Sequence, residues 1–425
     1  MGPTNRLAAL VGAVVGPLGL GRAAAGRPWP RLAGAAVAIR GGSSKSKDWD
    51  AFQGLAGVDP SLLTVEKTTS PKEKPPKESL VFGVTFSDHM LDINWNSSTG
   101  WGAPAIIPFQ DLKISPAASV LHYAMECFEG MKAYKDEHGT VRLFRPDCNC
   151  ERLNNSLRRL HMPTISPDAF TELLKKLITV DSEWIPEGEG YSLYIRPTAI
   201  GTYPLLRVGP SEEVKLFVIL SPVGPYYKEG FKPIKLFADT ENVRAWPGGM
   251  GWTKSGGNYA PTIRPQVLAM RDTGCSQVLW LSGDEHLVTE VGAMNVFFAI
   301  KAREEDGGRL ELVTSALESG EILHGVTRKC VLELAREWGE FDVSERDLTM
   351  GEVVEAATEG RLMEAFGTGT AAVVAPVKAI SYKGEDIVLP TGEEIGPLAK
   401  RFWDTITGIQ TGRIEHPWSV KVEVE

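Results

Sequence analysis

The chain has 425 residues, of which 43% are hydrophobic and 23% are charged, a composition typical of a globular protein. Its formal net charge is −9 and it contains no dense block of lysine and arginine, which argues against nucleic acid as a partner. This length is enough for two domains with a core that needs neither a metal nor a disulfide to be stable.

The cysteines and histidines form no recognisable metal or disulfide pattern. The chain has five cysteines and seven histidines, with no CxxC and no HExxH. Cys148 and Cys150 have the wrong spacing for a zinc knuckle. We therefore predict free thiols in a reducing compartment and no metal site.

The amino terminus differs in composition from the rest of the chain. Five arginines occur before the first acidic residue, Asp48, among alanine, glycine, leucine and valine. This pattern predicts a mitochondrial transit peptide over residues 1–43. A secretory signal is the alternative, because an apolar run over residues 7–20 precedes three alanines. The arginines continue past that run, which favours the mitochondrion, and the run is too short to span a bilayer, so no membrane partner is predicted.

Residues 44–79 are predicted to be a flexible lead-in, because residues 65–79 are rich in proline and lysine and lack apolar periodicity. Ordered structure is expected from Leu80, in a first domain over residues 80–222. Its clearest helix has Ser166 as the N-cap and Pro167 in the first position, followed by apolar residues at helical spacing. Strands are predicted at residues 192–196 and 214–220.

A stretch rich in glycine, proline and tyrosine, residues 223–233, predicts an interdomain linker. The second domain, residues 234–425, should begin with a strand over 234–238. A helix over 259–273 and a hairpin of strands 278–281 and 287–291 follow. The predicted fold class is therefore mixed α/β.

The segment GGMGWTKSGGNY, residues 248–259, places Lys254 among five glycines. Glycines allow close approach of the backbone to a ligand, and a desolvated lysine has a lowered pKa that suits Schiff-base chemistry. A nucleotide phosphate loop is one alternative, but Thr253 occupies the position of its second glycine. The other alternative is an ordinary solvated lysine in a loop.

Several motifs occur in a fixed order around this lysine. LHYAMECFEGMKAY, VRLFRP and SLYIRP precede it, and KSGGNYAPT, VTEVGAMNVFF, LHGVTRK and FGTGTAAVVAP follow. In this order the chain resembles the branched-chain aminotransferases, which are fold-type IV enzymes, from about residue 80 to residue 416. The resemblance implies a smaller N-terminal α/β domain and a larger C-terminal cofactor-binding domain with a barrel-like sheet.

The resemblance also implies the cofactor pyridoxal 5′-phosphate, an electron sink whose phosphate and ring the protein must hold. Lys254 matches the catalytic lysine that carries it, Glu290 the carboxylate that faces the pyridine nitrogen, and Tyr259 the phenol beside the 3′-oxygen. Arg152 matches the phosphate arginine. Outside this context, Glu290 and Arg152 would be ordinary surface charges and Tyr259 a core aromatic.

Phosphate binding also has a physical basis in the sequence. Gly325, Val326 and Thr327 open a predicted helix, whose first N–H groups lie at the positive end of its dipole. Thr370, in the GTGTA turn, would add a hydroxyl donor.

The resemblance implies a substrate site with a polar and an apolar side. The polar side consists of Tyr194, Arg196 and the turn amides of Thr370 and Ala371. The apolar side consists of Phe82, Tyr123, Phe128 and Tyr259. Leu206 and Val208 correspond to a loop that reaches in from the partner subunit, which implies a homodimer.

The implied activity is transfer of the amino group of leucine, isoleucine or valine to 2-oxoglutarate, and the reverse, in the mitochondrial matrix. Its partners are then small amino acids and 2-oxo acids. One alternative is another fold-type IV enzyme, such as a D-amino-acid aminotransferase or aminodeoxychorismate lyase. Another is a non-catalytic scaffold with the same fold, which the set of Lys254, Glu290, Tyr259 and Arg152 disfavours.

The chain departs from some family members at three positions. It has Ala372 and Ala375 where they carry a CxxC, and Ala293 where they carry threonine. The missing CxxC affects thiol regulation, and the missing threonine affects a single hydroxyl contact.

No disulfide can form between Ala372 and Ala375, so we predict that activity resists mild oxidation. Treatment with peroxide should leave the initial rate largely intact, and added reductant should not raise it. A loss of activity that a dithiol reverses would contradict this prediction and would direct attention to Cys127, Cys148 or Cys150.

Overall fold

The computed structural model describes residue 52 and residues 55–226 and 232–424. The predicted transit peptide, and residues 227–231 of the predicted linker, lie outside the described residues. Among the described residues, no helix has the length and apolar character needed to cross a membrane.

Seven α-helices occur in the described part of the chain. In chain order they are α1 (Ser119–Tyr123), α2 (Pro146–Arg159), α3 (Pro167–Val180), α4 (Ile263–Thr273), α5 (Val326–Trp338), α6 (Met350–Thr358) and α7 (Pro397–Gln410). The predicted start of α3 is confirmed, because the Ser166 side chain accepts a hydrogen bond from the N–H of Ala169. Gly274, with a φ of 68°, ends α4 as predicted.

The same residues form nineteen strands. In chain order they are β1 (Thr64–Val65), β2 (His89–Asn96), β3 (Gly100–Trp101), β4 (Ala105–Pro108), β5 (Glu126–Phe128), β6 (Met131–Lys135), β7 (Val141–Phe144), β8 (Ser192–Gly201), β9 (Glu213–Val223), β10 (Ile234–Asp239), β11 (Gln277–Ser282), β12 (Leu287–Val291), β13 (Met294–Lys301), β14 (Leu310–Thr314), β15 (Asp342–Glu345), β16 (Leu362–Gly369), β17 (Val373–Tyr382), β18 (Glu385–Val388) and β19 (Ser419–Val422).

The first sheet has ten strands, in the order β1-β4-β2-β9-β8-β6-β7-β19, with β3 paired to β2 and β5 paired to β8. Helices α2 and α3 supply apolar side chains, such as Leu153, Phe170 and Leu174, to the core that this sheet covers. The carboxyl-terminal strand β19 pairs antiparallel with β7, so the end of the chain returns to the first sheet.

The second sheet has nine strands, in the order β12-β11-β10-β17-β16-β13-β14-β15, with β18 paired to β17. An additional pairing between β12 and β13 closes six of these strands into a ring. This closure confirms the expected barrel-like sheet. The predicted hairpin is also present, as β11 and β12 pair antiparallel.

The chain before Leu80 has more defined structure than the sequence analysis predicted. Strand β1 pairs in parallel with β4. The N–H of Thr68 donates to Nε2 of His89 at 2.9 Å, and the N–H of Lys72 donates to Oδ1 of Asp88 at 2.9 Å. The expectation that ordered structure begins near Leu80 is wrong, because polar contacts with distant residues hold this segment and leave no apolar periodicity in it.

Candidate active site

The segment that carries Lys254 is held from the first sheet. The carbonyl of Lys254 accepts a hydrogen bond from the N–H of Phe128 in β5 at 2.9 Å, and its N–H donates to Oγ of Ser156 in α2 at 2.9 Å. Its Nζ donates to the Tyr259 hydroxyl at 3.0 Å and lies 4.8 Å from the centre of the Phe128 ring. The predicted lysine and tyrosine therefore meet in one half-buried site.

Glu290 lies in β12 and only 2% of its side chain is exposed. Its Oε2 is 2.7 Å from Nε of Arg244, and its Oε1 accepts hydrogen bonds from Asn295 Nδ2 at 3.0 Å and the N–H of Leu323 at 2.9 Å. Burial raises the pKa of Glu290, while Arg244 and then the Leu323 amide act in the opposite direction.

Arg244 is a site residue that the sequence analysis missed. Its side chain is 3% exposed, and it also donates to the carbonyl of Glu321 at 3.0 Å. Its position, in an irregular segment between β10 and the lysine loop, gives no periodic pattern in the sequence. Arg244 is recognised as a site residue because it is buried next to the buried carboxylate of Glu290, and that proximity is visible only once the fold is known.

Arg152, in α2, is paired with a buried carboxylate that the sequence did not indicate. Its Nε and Nη2 donate to the two oxygens of Glu129 at 2.7 and 2.8 Å, and its Nη1 donates to the carbonyl of His324 at 3.1 Å. Glu129 is 0% exposed and also accepts from Asn149 at 2.8 Å. Glu129 was not among the predicted site residues. Its bidentate contact fixes the orientation of the Arg152 guanidinium.

Helix α5 begins where Arg152 contacts His324. Gly325 is its N-cap, and no side chain caps this end, so the first N–H groups, at Val326 and Thr327, are available to an anion. Burial, followed by the charges of Arg328 and Arg152, lowers the pKa of His324. The uncapped helix start and the two arginines make this location electropositive.

The substrate residues proposed for the polar side lie together. Nη2 of Arg196 donates to the Tyr194 hydroxyl at 2.9 Å, and its guanidinium lies 4.7 Å from the centre of the Phe128 ring. Nε of Arg196 is buried without a hydrogen-bond partner. The Phe82 ring stacks edge-on against Tyr194 with centroids 4.8 Å apart.

Thr370 and Ala371 form the turn between β16 and β17. Oγ1 of Thr370 donates to the carbonyl of Gly130 at 3.3 Å, so its hydroxyl contacts the first sheet. The carbonyl of Ala371 accepts a hydrogen bond from Nζ of Lys132 at 3.0 Å.

Four of the residues proposed for the substrate site are not enclosed by this chain. Phe82 is 51% exposed, Tyr123, at the end of α1, is 38% exposed, and Leu206 and Val208, between β8 and β9, are 64% and 80% exposed. Glu126 is a further carboxylate near the site. Burial raises its pKa, and the Gly256 amide, Arg196 and Lys254 act in the opposite direction.

The residues fit pyridoxal phosphate. A ring nitrogen that carries a proton suits the buried Glu290 carboxylate, a phenolate oxygen suits Tyr259, and the uncapped start of α5 suits a phosphate. Lys254 lies beside Tyr259, where a covalent bond to the cofactor would form.

The described residues contain no group of three or more histidine, cysteine, aspartate or glutamate side chains that could hold a metal ion. All five cysteines are free and buried. Burial raises the pKa of Cys150 and Cys330 to about 12. A thiol that keeps its proton is a weak nucleophile toward oxidants, which is consistent with the predicted resistance to peroxide.

Replacing Arg244 with Gln should destabilise the protein, because the buried Glu290 carboxylate would lose its cation and its pKa would rise further. Breaking a buried pair by removing one partner costs about 3–5 kcal/mol. Urea denaturation at neutral pH should show a lower midpoint, and the affinity for pyridoxal phosphate should fall. Arg271→Gln, at an exposed pair with Asp272, is the control and should leave both unchanged. An unchanged midpoint in Arg244→Gln would contradict the role given to the pair.

Comparison with known proteins identifies the family. Residues 126–380 match the model of the amino-transferase class IV family. The branched-chain-amino-acid aminotransferase of Dictyostelium discoideum is 53% identical over 86% of this chain and 96% of its own length. The mitochondrial enzyme of that name from Rattus norvegicus is 49% identical over 85% and 91%, and the cytosolic one from Mus musculus is 48% identical over 85% and 92%.

Solved structures lead to the same family. The branched-chain amino acid aminotransferase of Escherichia coli superposes with a TM-score of 0.61 at 26% identity, over 80% of this chain and 99% of that one. The T.th. enzyme of the same name, solved with pyridoxamine 5′-phosphate, gives 0.61 at 26% identity, over 78% and 98%. The chain therefore belongs to the class IV aminotransferases, and it is a transaminase that depends on pyridoxal phosphate.

Proposed function

We propose that this protein transfers the amino group of leucine, isoleucine or valine to 2-oxoglutarate, and catalyses the reverse reaction, by a ping-pong route. The observation that supports it most directly is the meeting of Lys254, Tyr259 and Phe128 in one site. Pyridoxal phosphate, when bound, supplies an electron sink for negative charge at the substrate Cα. The protein residues must then hold the cofactor, orient the substrate and move the proton.

Each cofactor residue has a physical role in this proposal. Nζ of Lys254 attaches the cofactor and, once released, takes the proton from the substrate Cα. The Tyr259 hydroxyl holds the adjacent ring oxygen. Glu290 would hold a proton on the ring nitrogen, and Arg244 opposes the rise in the pKa of Glu290 that burial causes. Arg152, the first N–H groups of α5 at Val326 and Thr327, and the backbone N–H of Thr370 would hold the phosphate, since the Thr370 hydroxyl already donates to Gly130.

The substrate side is proposed to serve two kinds of side chain. The Phe82 ring packs against Tyr194, and the Arg196 guanidinium lies over both the Tyr194 and the Phe128 rings. These three rings are proposed to offer an apolar surface to a branched aliphatic chain. Arg196 has a buried Nε without a partner, which suits the distal carboxylate of glutamate. The Thr370–Ala371 turn would hold the carboxylate that both substrates share.

A homodimer is part of the proposal. Leu206 and Val208 are apolar and largely exposed, and an exposed apolar surface commonly marks an interface. We propose that this loop covers the substrate site of the other subunit. The site would then be complete only in the dimer.

We propose the mitochondrial matrix as the compartment, with residues 1–43 as the transit peptide. Arginines without acidic residues in that segment support it. Relatives are named for both compartments, so the leader is what favours the mitochondrion. We also propose that residues 80–222 and 234–425 are the small and large domains, joined by a linker over residues 223–233, since the strands of each range fall largely into separate sheets.

Replacing Lys254 with Ala should abolish transamination. The change removes both covalent attachment and proton transfer, so the rate should fall by more than the ~10²–10⁴-fold typical of acid–base catalysis alone. The visible absorption band of the covalently held cofactor should also disappear. Lys235→Ala, at a surface pair with Asp386, is the control and should retain both. Activity of Lys254→Ala within tenfold of wild type would refute the assignment.

Substrate preference separates branched-chain activity from the other reactions of this fold. Each buried methylene contributes about 0.8 kcal/mol, so leucine, isoleucine and valine should exceed alanine by roughly tenfold or more per one or two methylenes. Aspartate should not be a substrate, because its side chain is shorter than that of glutamate and its carboxylate would be buried without reaching Arg196. Initial rates with these amino acids, D-alanine and 2-oxoglutarate test this preference.

The same assay with Arg196→Ala tests the carboxylate role of the arginine. Turnover of glutamate should fall much more than turnover of leucine, because only glutamate has a second carboxylate to pair with it. An equal fall in the turnover of glutamate and of leucine would show that Arg196 does not bind the second carboxylate of glutamate. A higher rate with D-alanine or aspartate than with leucine would show that the branched-chain assignment is wrong.

A further inference from the structure

A buried lysine outside the proposed catalytic set contacts the turn at Thr370–Ala371. Lys132 lies in β6, where its backbone pairs with Tyr194, and only 8% of the residue is exposed. Its Nζ donates to the carbonyl of Ala371 at 3.0 Å. A buried ammonium is costly unless it makes strong contacts, and the hydrogen bond to the Ala371 carbonyl is such a contact.

The turn that Lys132 contacts is held by hydrogen bonds from residues 130–132, and the backbone next to it is strained. Val373, two residues after Ala371, has a φ of 65°, a left-handed value that a β-branched residue rarely adopts. The carbonyl of Gly130 accepts from the Thr370 hydroxyl at 3.3 Å, two residues before Lys132. The short segment 130–132 thus supplies two hydrogen bonds that keep the turn in its conformation.

Lys132 also places a positive charge behind that turn. Turn amides and a nearby ammonium both attract a carboxylate, and the ammonium acts more strongly where water is excluded. Lys132 and Ala371 also line a cavity next to the turn. The other charged side chains that line this cavity are Glu189 and Arg413, and the other titratable ones are the phenols of Tyr134 and Tyr226.

We propose that Lys132 is a positioning residue that holds the Thr370–Ala371 turn in place, and with it the carboxylate of the amino acid or 2-oxo acid substrate. This inference rests on the proposed function, in which that turn holds the shared carboxylate. Lys132 acts through the turn and does not enter the proton transfer at the substrate Cα. Its loss should therefore weaken substrate binding and leave the chemical step largely unchanged.

The charge of Lys132 depends on pH within the range of ordinary assays. Burial lowers the pKa of Lys132 to about 8. Below this pH the amine is an ammonium and strengthens carboxylate binding, and above it the charge is lost. The affinity for a carboxylate should therefore fall as the pH rises through about 8, whereas an arginine at this position would stay charged.

The experiment compares Lys132→Gln and Lys132→Arg with wild-type holoenzyme. The control is Lys135→Gln, on the same strand, which removes an amine paired with Glu187. KM and kcat for leucine are measured from pH 6.5 to 9.5. Binding of 4-methylvalerate, a branched acid that has no amino group to transfer, is measured by calorimetry over the same range.

At pH 7, Lys132→Gln should raise both KM and the dissociation constant of 4-methylvalerate about tenfold, the effect of losing one charge-assisted hydrogen bond, with kcat within threefold of wild type. Lys132→Arg should keep the affinity measured at pH 7 and remove the weakening that wild type shows above pH 8. Lys135→Gln should match wild type throughout. If Lys132→Gln does not fold, the pH profile of Lys132→Arg still decides the question.

Unchanged binding and KM in Lys132→Gln, or a pH profile of Lys132→Arg identical to that of wild type, would overturn the inference. A fall in kcat with KM unchanged would also overturn it, because it would place Lys132 in the chemical step. Failure of the proposed function is a different result, since wild-type enzyme would then not transaminate leucine at all.

Discussion

The ion pair between Arg244 and Glu290 is the interaction on which the rest of the site depends. Both side chains are almost completely buried, and the Arg244 guanidinium offsets the cost of burying the Glu290 carboxylate. The remaining acceptor capacity of Glu290 is used by Asn295 and the Leu323 amide, which fixes the carboxylate in direction as well as in charge. The pair stabilises a carboxylate at a depth where water cannot solvate it.

A second constraint is that one short segment of the first domain contacts three separate parts of the proposed site. Within residues 128–132, Phe128 binds the backbone of Lys254, Glu129 holds Arg152, Gly130 accepts from Thr370 and Lys132 donates to Ala371. The residues proposed to bind the cofactor, its phosphate and the substrate carboxylate are therefore positioned by one five-residue segment, which joins the end of β5 to the start of β6. Displacement of this segment would disturb all three at once, which explains why sites of this kind need a rigid scaffold.

The sequence predicted features that depend on local patterns. The N-cap at Ser166, the end of α4 at Gly274 and the antiparallel hairpin follow from a few neighbouring residues, and the structure contains them. The motifs placed Lys254, Tyr259 and Glu290 by resemblance, and the structure brings Lys254 to Tyr259. Arg244, Glu129 and Lys132 could not be found in this way, because a buried polar pair joins residues far apart in the chain and leaves no periodic trace.

The glycines around Lys254 have an explanation that differs from a nucleotide loop. A Cβ at Gly251 would collide with the backbone of Glu321, and a Cβ at Gly256 would collide with the carboxylate of Glu126. Helix α4 begins only at Ile263, so the lysine does not lead directly into a helix as it does in a phosphate loop. The glycines instead allow the loop to pack between two elements of the protein, and Lys254 is thereby held next to Tyr259. Close packing of the backbone explains Gly251 and Gly256, without any need for a loop that wraps a phosphate.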